Sequence, residues 1–143
     1  MLVKQISVFL ENKSGRLAEV TKILGNNGID ISALSIADTT DFGVLRLIVN
    51  KPELAEKILK ENGLTVSCTS VIAIAVADEP GGLAVALEIL SRESISIEYM
   101  YAFVGKAANE ALVLLRVEEP EKAIEVLTAN GVKVLSADEV YKL

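Results

Sequence analysis

Two glycine-containing segments hold the residues of this chain whose types and spacing could do chemistry. They are NKSGRL at residues 12–17 and DEPGGL at residues 78–83, and each lies between an apolar run and a helical pattern. The start of a helix carries unpaired N–H groups and a partial positive charge, so it attracts anions, and a glycine there lets a ligand approach the backbone. Asn12 and Asp78 precede the glycines, and each offers an oxygen that accepts a hydrogen bond from an ammonium group. Such a segment suits a zwitterion, for example a free α-amino acid.

A simpler interpretation is that the same residues only shape a turn. Asn12, Ser14 and Asp78 are residue types that cap helices and turns, and the glycines permit the backbone to turn. The spacing alone favours this interpretation and leaves ligand binding open.

The composition offers little for catalysis or metal binding. The chain has no histidine, which removes the commonest acid–base residue and the commonest metal ligand. Its one cysteine, Cys68, excludes an intrachain disulfide and a multi-cysteine metal site, and we expect it to pack in a strand as a small apolar residue. The polar stretch at 38–41 is interpreted as a hairpin tip, because no calcium-loop spacing is present. We therefore predict no catalytic residue, no metal site and no cofactor, and an enzyme is the least supported class of function.

Charge and hydropathy restrict the partners. The net charge of −6 argues against a nucleic-acid partner, and no apolar run reaches the roughly 20 residues of a membrane span. The start MLVKQ lacks the layout of a secretion signal, and the cysteine content fits a reducing compartment, so we expect a cytoplasmic protein. Hydrophobic residues make up 51% of the chain and the mean hydropathy is +0.43. Because a small domain has much surface, this predicts that another subunit covers some of it, and we expect a homodimer.

The chain contains an internal repeat that includes both glycine segments. At a shift of 66 residues, Gly15 aligns with Gly81 and Leu17 with Leu83. Further along the shift is 68, and the aligned pairs are Pro52 with Pro120, Glu53 with Glu121, Leu59 with Leu127 and Gly63 with Gly131. Chance rarely aligns glycines and prolines at both ends of each copy. We predict two domains, at 1–70 and 71–143, with almost no linker.

Each copy has the pattern of a strand, a helix, two strands, a helix and a strand. In the first copy, apolar residues alternate over 4–10 and recur at helical spacing over 17–24. Pro52 suits the first turn of the second helix, and Gly63 suits its end. Right-handed crossovers then place both helices on one face of a four-stranded antiparallel sheet. The other face, which carries Ala73, Ala75 and Ala77 in the second copy, suits close packing, and two such sheets could join edge to edge.

The two glycine segments and the residues that follow them resemble the first half of ACT domains, regulatory modules named after aspartate kinase, chorismate mutase and prephenate dehydrogenase. The family signature is Asp or Asn, then Pro-Gly-x-Leu, a helix, and Gly-Ile-x-Ile at the start of the second strand. The first copy reads ENKSGRLAEVTKILGNNGIDI, with Ser14 in place of the proline, and the second reads ADEPGGLAVALEILSRESISI, with Ser94 in place of the glycine. The resemblance covers nearly the whole chain, twice. It implies an α+β fold of two ferredoxin-like β-α-β-β-α-β units in tandem, with their sheets joined side by side, and it implies amino-acid binding.

The resemblance also implies where a ligand would bind. In the family, the ligand lies at the junction of two units, in contact with the glycine loop of one and the start of the second strand of the other. By matching position, the loop residues are Asn12, Lys13, Ser14, Gly15, Arg16 and Leu17 in the first copy and Asp78, Glu79, Pro80, Gly81, Gly82 and Leu83 in the second. The strand residues are Asp30, Ile31, Ser96 and Ile97. Asp30 and Ser96 would orient polar groups of the ligand or, equally, only cap a turn.

Besides an enzyme, which is the least supported class, two classes of function remain. The first is a non-catalytic regulatory protein that binds a free amino acid and has a regulated enzyme as a further partner. The second is a dimerisation or interaction module with no small-molecule ligand, which also occurs in the family. An RNA-recognition domain has the same topology but needs aromatic residues on its third strand, and VLRLIV at 44–49 has none. The aromatic residues that alternate at 99, 101 and 103 are interpreted as packing residues of a subunit or sheet interface, with the wall of a ligand pocket as the alternative.

Overall fold

The computed structural model describes residues 2–11, 14–38, 42–105 and 109–143. The chain divides into two compact units. The N-terminal unit comprises Lys4–Thr69 with Tyr141–Leu143, and the C-terminal unit comprises Ser70–Val140 with the first residues of the chain. The elements are β1 (Val3–Glu11), α1 (Arg16–Asn26), β2 (Ile31–Asp38), β3 (Phe42–Val49), α2 (Pro52–Glu61), β4 (Thr65–Ala77), α3 (Gly82–Arg92), β5 (Ile97–Ala102), β6 (Glu110–Val117), α4 (Pro120–Ala129), β7 (Lys133–Val134) and α5 (Ala137–Tyr141).

The N-terminal unit is an antiparallel sheet that packs on α1 and α2. Strand β3 lies between β2 and β1, and β1 also neighbours β4. The register places Ile6 opposite Leu47 and Val8 opposite Leu45, so alternate residues of both strands point to the same face. All four side chains are fully buried. They form one apolar core with residues of both helices, which include Val20, Leu24, Ala55 and Leu59.

The C-terminal unit repeats this arrangement. Strand β6 lies between β4 and β5, and β7 pairs with β4. Ile72 lies opposite Leu115 and Ile74 opposite Val113, again with their side chains on the helix face. The core adds residues of α3 and α4, which include Ala86, Leu90, Ala123 and Leu127. The predicted fold, two ferredoxin-like units with their helices on one side of an antiparallel sheet, is confirmed. The side-by-side joining of the sheets stays a prediction.

The end of the C-terminal unit differs from the prediction. Its fourth strand, β7, has only two residues, and a short helix, α5, follows it. The Glu139 N–H donates to Ser136 Oγ at 3.2 Å, and the Ser136 N–H donates to Glu139 Oε1 at 3.2 Å. These reciprocal bonds form a capping box, so the sequence SADE at 136–139 carries a helix-start signal that the repeat conceals.

The first helix of each unit ends in the same backbone geometry. After α1, Gly28 has φ 68°, and the Ile29 N–H donates to Leu24 O at 3.0 Å. After α3, Ser94 has φ 56°, and the Ile95 N–H donates to Leu90 O at 3.0 Å. Ser94 therefore keeps the left-handed conformation that glycine adopts more easily, although it carries a Cβ.

Candidate functional site

The glycine loop of the N-terminal unit leads directly into α1. Gly15 is the residue before the helix and has φ 88°, a left-handed conformation that favours glycine. Ser14 is exposed, and Leu17 keeps 38% of its surface exposed. Arg16 Nη1 lies 3.1 Å from Glu19 Oε2, so an ion pair spans the first turn of the helix. Asn12 and Lys13 were predicted to belong to this loop, and they lie outside the described residues.

The loop of the C-terminal unit is described at every position from 78 to 83. The Asp78 N–H donates to Asn109 O at 3.0 Å, and the Glu79 N–H donates to Ala77 O at 2.9 Å. The Gly82 N–H then donates to Glu79 O at 3.0 Å, which closes a tight turn. Gly81 precedes α3 with φ 85°, the same conformation as Gly15. The two copies of the repeat thus enter their first helices in the same way.

The N–H groups at the start of α3 are available to a ligand. Within the described residues, the N–H groups of Gly81, Leu83 and Ala84 form no hydrogen bond, and no side chain caps the helix. The side chain of Asp78 is exposed and does not bond to them. The turn-capping interpretation of Asp78 therefore lacks the hydrogen bond that it requires. Such a helix start attracts a carboxylate through its N–H groups and its partial positive charge.

A cleft of about 310 Å³ lies beside this loop, and we call it the loop-two cleft. Its lining residues are Ala75, Val76, Ala77, Glu79, Pro80, Gly81, Gly82, Val85, Ala86, Gly131 and Val132. Four of the predicted site residues, at 79–82, thus lie together at its wall, whereas Asp78 and Leu83 do not line it. Glu79 is the charged residue of this lining, so its carboxylate can accept hydrogen bonds from an ammonium group.

The predicted strand residues lie at the starts of β2 and β5 and do not line this cleft. The Asp30 N–H donates to Asn50 Oδ1 at 2.9 Å, and Asp30 O accepts from the Asn50 N–H at 3.2 Å. The backbone of Asp30 is therefore held in place while its side chain remains exposed. Ser96 is also exposed. Ile31 and Ile97 are half-buried and pack against the cores of their own units.

Several cleft residues were not predicted from the sequence, because the family resemblance points only to the loop. They are Ala75, Val76, Ala77, Val85, Ala86, Gly131 and Val132. A signal for two of them exists in the repeat. Ala77 aligns with Glu11, and Val85 aligns with Glu19, so the second copy has apolar residues where the first has carboxylates. Val85 is also 58% exposed, which is unusual for a valine that only packs in a core.

A group of charged residues surrounds Cys68 in the N-terminal unit. The Cys68 thiol donates to Glu56 Oε2 at 2.8 Å, and Lys4 Nζ lies 3.6 Å from Glu56 Oε1. Partial burial and this hydrogen bond raise the pKa of Cys68 to about 11. The same hydrogen bond, with the charges of Lys4 and Lys60, lowers the pKa of Glu56. A thiol with a raised pKa is a poor nucleophile at neutral pH, so this geometry suits packing rather than catalysis.

The described residues hold neither a metal-ligand cluster nor a membrane-spanning helix. No group of three or more His, Cys, Asp or Glu residues in the described part of the chain could hold a metal ion. Every helix in the described ranges is too short or too polar to cross a membrane.

Comparison with known proteins extends over the whole chain. The sequence matches the family of ACT domain pairs over residues 1–143. The structure is similar to protein BT0572 from Bacteroides thetaiotaomicron, with 48% sequence identity, a TM-score of 0.94, and coverage of 100% of this chain and 98% of that one. No curated protein matches the sequence.

More distant structures share the fold. The regulatory subunit of aspartate kinase from Thermus thermophilus has 14% identity and a TM-score of 0.65, with 91% of this chain and 94% of that chain covered. The aspartate kinase of Clostridium acetobutylicum has 15% identity and a TM-score of 0.50, with 88% of this chain and 32% of that chain covered. The repeated glycine loop, the repeated fold and the full-length match agree, and the chain belongs to the ACT family as an ACT domain pair.

Proposed function

We propose that this chain is a non-catalytic regulatory protein that binds a free amino acid, and that the loop at residues 78–83 holds the ligand. One observation carries the proposal. The N–H groups of Leu83 and Ala84 form no hydrogen bond within the described residues, and they follow directly on a loop whose Glu79 lines a cleft. Donors for a carboxylate and an acceptor for an ammonium group thus belong to one short segment.

The two charged groups of an amino acid bind at different ends of this segment. The carboxylate accepts hydrogen bonds at the start of α3, where the helix dipole adds a favourable charge interaction. The ammonium group donates to Glu79, which lines the cleft, or to the exposed Asp78 beside it. Hydrogen bonds to charged groups are worth about 1.5–3 kcal/mol each, which is enough to select a zwitterion over a neutral amine or a neutral acid.

The family resemblance extends the proposal beyond this loop. We take 1–70 and 71–143 as the two ACT domains, and we propose that the ligand of one glycine loop also contacts the start of the second strand of another unit. The residues concerned are Asp30, Ile31, Ser96 and Ile97. The loop with Asn12, Lys13, Ser14, Gly15, Arg16 and Leu17 is proposed as the corresponding binding loop of the first domain.

Amino-acid binding regulates a process only if a partner protein responds to the bound state of this chain. The structural neighbour from Thermus thermophilus is a regulatory subunit of aspartate kinase. We propose by analogy that this chain acts on an enzyme in the cytoplasm, and that it does so as a homodimer. The exposed apolar side chains of the N-terminal unit support an association surface, because Phe9 is 46% and Phe42 60% exposed.

Exposed apolar side chains of the N-terminal unit also favour a second candidate function, a dimerisation module without a ligand. In the N-terminal unit, Leu34 and Ile36 of the outer strand β2 are 39% and 45% exposed. Sedimentation at increasing concentration measures the association in both cases, so it does not separate the two functions. Ligand binding separates them, because only the regulatory function requires a bound amino acid.

Thermal-shift measurements with each of the twenty common amino acids test the proposed function. A specific ligand that binds only the folded state raises the Tm by several degrees at concentrations far above its Kd. We expect one amino acid, or a chemically similar group, to produce this rise, and we expect the rise to disappear in Glu79→Gln combined with Asp78→Asn. If every amino acid leaves the Tm unchanged at millimolar concentration, the proposed function is wrong and the dimerisation module is favoured.

A further inference from the structure

We infer that the ligand of the loop-two cleft is an amino acid with a short aliphatic side chain, an inference that rests on the proposed function. The loop explains how the charged groups common to all amino acids are held, but it does not explain which side chain is accepted. The wall of the cleft carries that information, because the ligand side chain must pack against it.

Most side chains that line the cleft are apolar and small. Around the glycines of the loop, the side chains that line it are those of Ala75, Val76, Ala77, Pro80, Val85, Ala86 and Val132, together with Glu79. The first seven carry no hydrogen-bond donor or acceptor. Packed against these seven side chains, a polar ligand side chain would lose its hydration and gain no hydrogen-bond partner from them, whereas an aliphatic side chain gains from the removal of its surface from water.

The size of the cleft fits a small ligand. Its volume of about 310 Å³ lies at the lower end of the range of small-molecule sites, about 300–1,000 Å³. Val76 on β4, Val85 on α3 and Val132 after α4 are its branched apolar residues, and the remaining apolar side chains are alanine and proline. An amino acid of the size of alanine, valine or leucine can pack against these valines while its ammonium group is close to Glu79.

The charge of Glu79 disfavours ligands with an acidic or a basic side chain. An acidic ligand would place a second carboxylate near Glu79, and like charges repel each other. A basic ligand carries two cationic groups, and the carboxylate of Glu79 is the single acceptor of full negative charge in the lining. One of the two cations would then contact the apolar wall.

The other copy of the repeat lacks this apolar wall at the aligned positions. Ala77 aligns with Glu11 and Val85 with Glu19, and Gly82 aligns with Arg16. In the N-terminal unit, Arg16 and Glu19 form an ion pair at 3.1 Å across the first turn of α1. We therefore assign the specificity for an aliphatic ligand to the C-terminal unit alone. The glycine loop of the N-terminal unit does not share it.

Calorimetric titration with alanine, valine, leucine, aspartate and lysine tests the inference on the full chain. We expect at least one of the three aliphatic amino acids to bind at least tenfold more tightly than aspartate and lysine. Val85→Glu introduces the carboxylate of the other copy at an exposed helix position, and we expect it to weaken aliphatic binding at least tenfold. The matched control is the reverse exchange, Glu19→Val, which should leave this affinity unchanged.

The outcomes separate this inference from the proposed function. If aspartate, lysine or a polar amino acid binds best and Glu79→Gln weakens that binding, the aliphatic inference is overturned while the proposed function stands. The inference is also overturned if Val85→Glu, shown to be folded by circular dichroism, binds the aliphatic ligand as tightly as the unmodified chain. If none of the twenty common amino acids binds, both proposals are wrong.

Discussion

Gly82 lies against the carbonyl group of Ala77 so closely that a side chain at residue 82 has no space. A Cβ on Gly82 would overlap the Ala77 oxygen and would lie 3.0 Å from the Ala77 carbonyl carbon. The same carbonyl accepts a hydrogen bond from the Glu79 N–H at 2.9 Å, so it cannot move away without breaking the turn. The loop at residues 78–83, loop two, therefore needs glycine at residue 82 for close packing, whereas Gly81 is required for its positive φ.

Gly82→Ala is expected to destabilise the protein by about 1–3 kcal/mol, because the new methyl group must displace backbone atoms rather than a flexible side chain. Urea unfolding measures this difference in the free energy of unfolding. Gly25→Ala is the matched control, since residue 25 lies in α1 and a Cβ added there would meet nothing within 4 Å beyond the backbone of its own helix. That substitution should raise stability by up to about 1 kcal/mol. Equal effects of the two substitutions would contradict the description of loop two.

Ser94→Gly is expected to stabilise the C-terminal unit by about 0.5–1 kcal/mol, because glycine adopts φ 56° without the cost of a Cβ. The corresponding change at the end of α1, Gly28→Ser, should destabilise the protein by about 1 kcal/mol. Nothing lies within 4 Å of the Cβ position of Gly28, so the cost there is conformational and not steric. Thermal unfolding of both variants checks the opposite signs. A loss of stability in Ser94→Gly would show that the hydroxyl group has a role of its own.

The raised pKa of Cys68 predicts a loss of stability at alkaline pH. The folded protein keeps the thiol protonated up to about pH 11, whereas the thiol of the unfolded chain ionises near its ordinary pKa of 9.0. The stabilisation is therefore complete below pH 9 and is lost as the pH rises through 11. Urea midpoints measured from pH 8 to pH 11 should fall further for the unmodified protein than for Cys68→Ser. Serine retains a hydroxyl donor for Glu56 but does not ionise in this range.

The same geometry predicts a slow reaction of Cys68 with thiol reagents. At pH 8 the thiolate fraction of Cys68 is smaller than that of a free cysteine, so the labelling rate should be lower. Glu56→Gln removes the carboxylate that disfavours the thiolate, and it should increase the labelling rate. A rate equal to that of free cysteine in the unmodified protein would contradict the raised pKa.

Asp78→Ala is expected to weaken the binding of the amino acid by about tenfold if Asp78 shares the ammonium group with Glu79. Calorimetry on the single variants separates the two residues. We expect Glu79→Gln to have the larger effect, because Glu79 lines the cleft and Asp78 does not. Glu125→Ala removes an exposed acidic residue of α4 and serves as the control for net charge. Unchanged affinity in Asp78→Ala would remove that residue from the site.

The fold could be predicted from the sequence because the repeat supplies the same evidence twice. The alternation of Ile6 and Val8 and the helical spacing of Val20 and Leu24 recur 66 residues later, and these apolar patterns identify the buried faces of both copies. The predictions failed where the two copies diverge. The second copy ends in the short strand β7 and the helix α5, and the capping box of Ser136 and Glu139 decides this locally.

The candidate site was predicted only in part, for a physical reason. A glycine loop and its acidic neighbours are contiguous in sequence, so 79–82 could be named from the motif. The cleft needs residues that are far apart in the chain, such as Val85 and Val132, and only packing brings them together. Sequence periodicity identifies which face a residue occupies, but it does not show which distant residues leave a space between them.

The most direct test of amino-acid binding is a titration followed by amide NMR, because each N–H group is observed separately. The chain should be titrated with the amino acid that gives the largest thermal shift. We predict that the largest amide shifts occur at Gly81, Leu83 and Ala84, whose N–H groups are open within the described residues. Saturable shifts at these three residues that are lost in Glu79→Gln would establish the site. Saturable shifts confined to other parts of the chain, or no saturable shift, would contradict it.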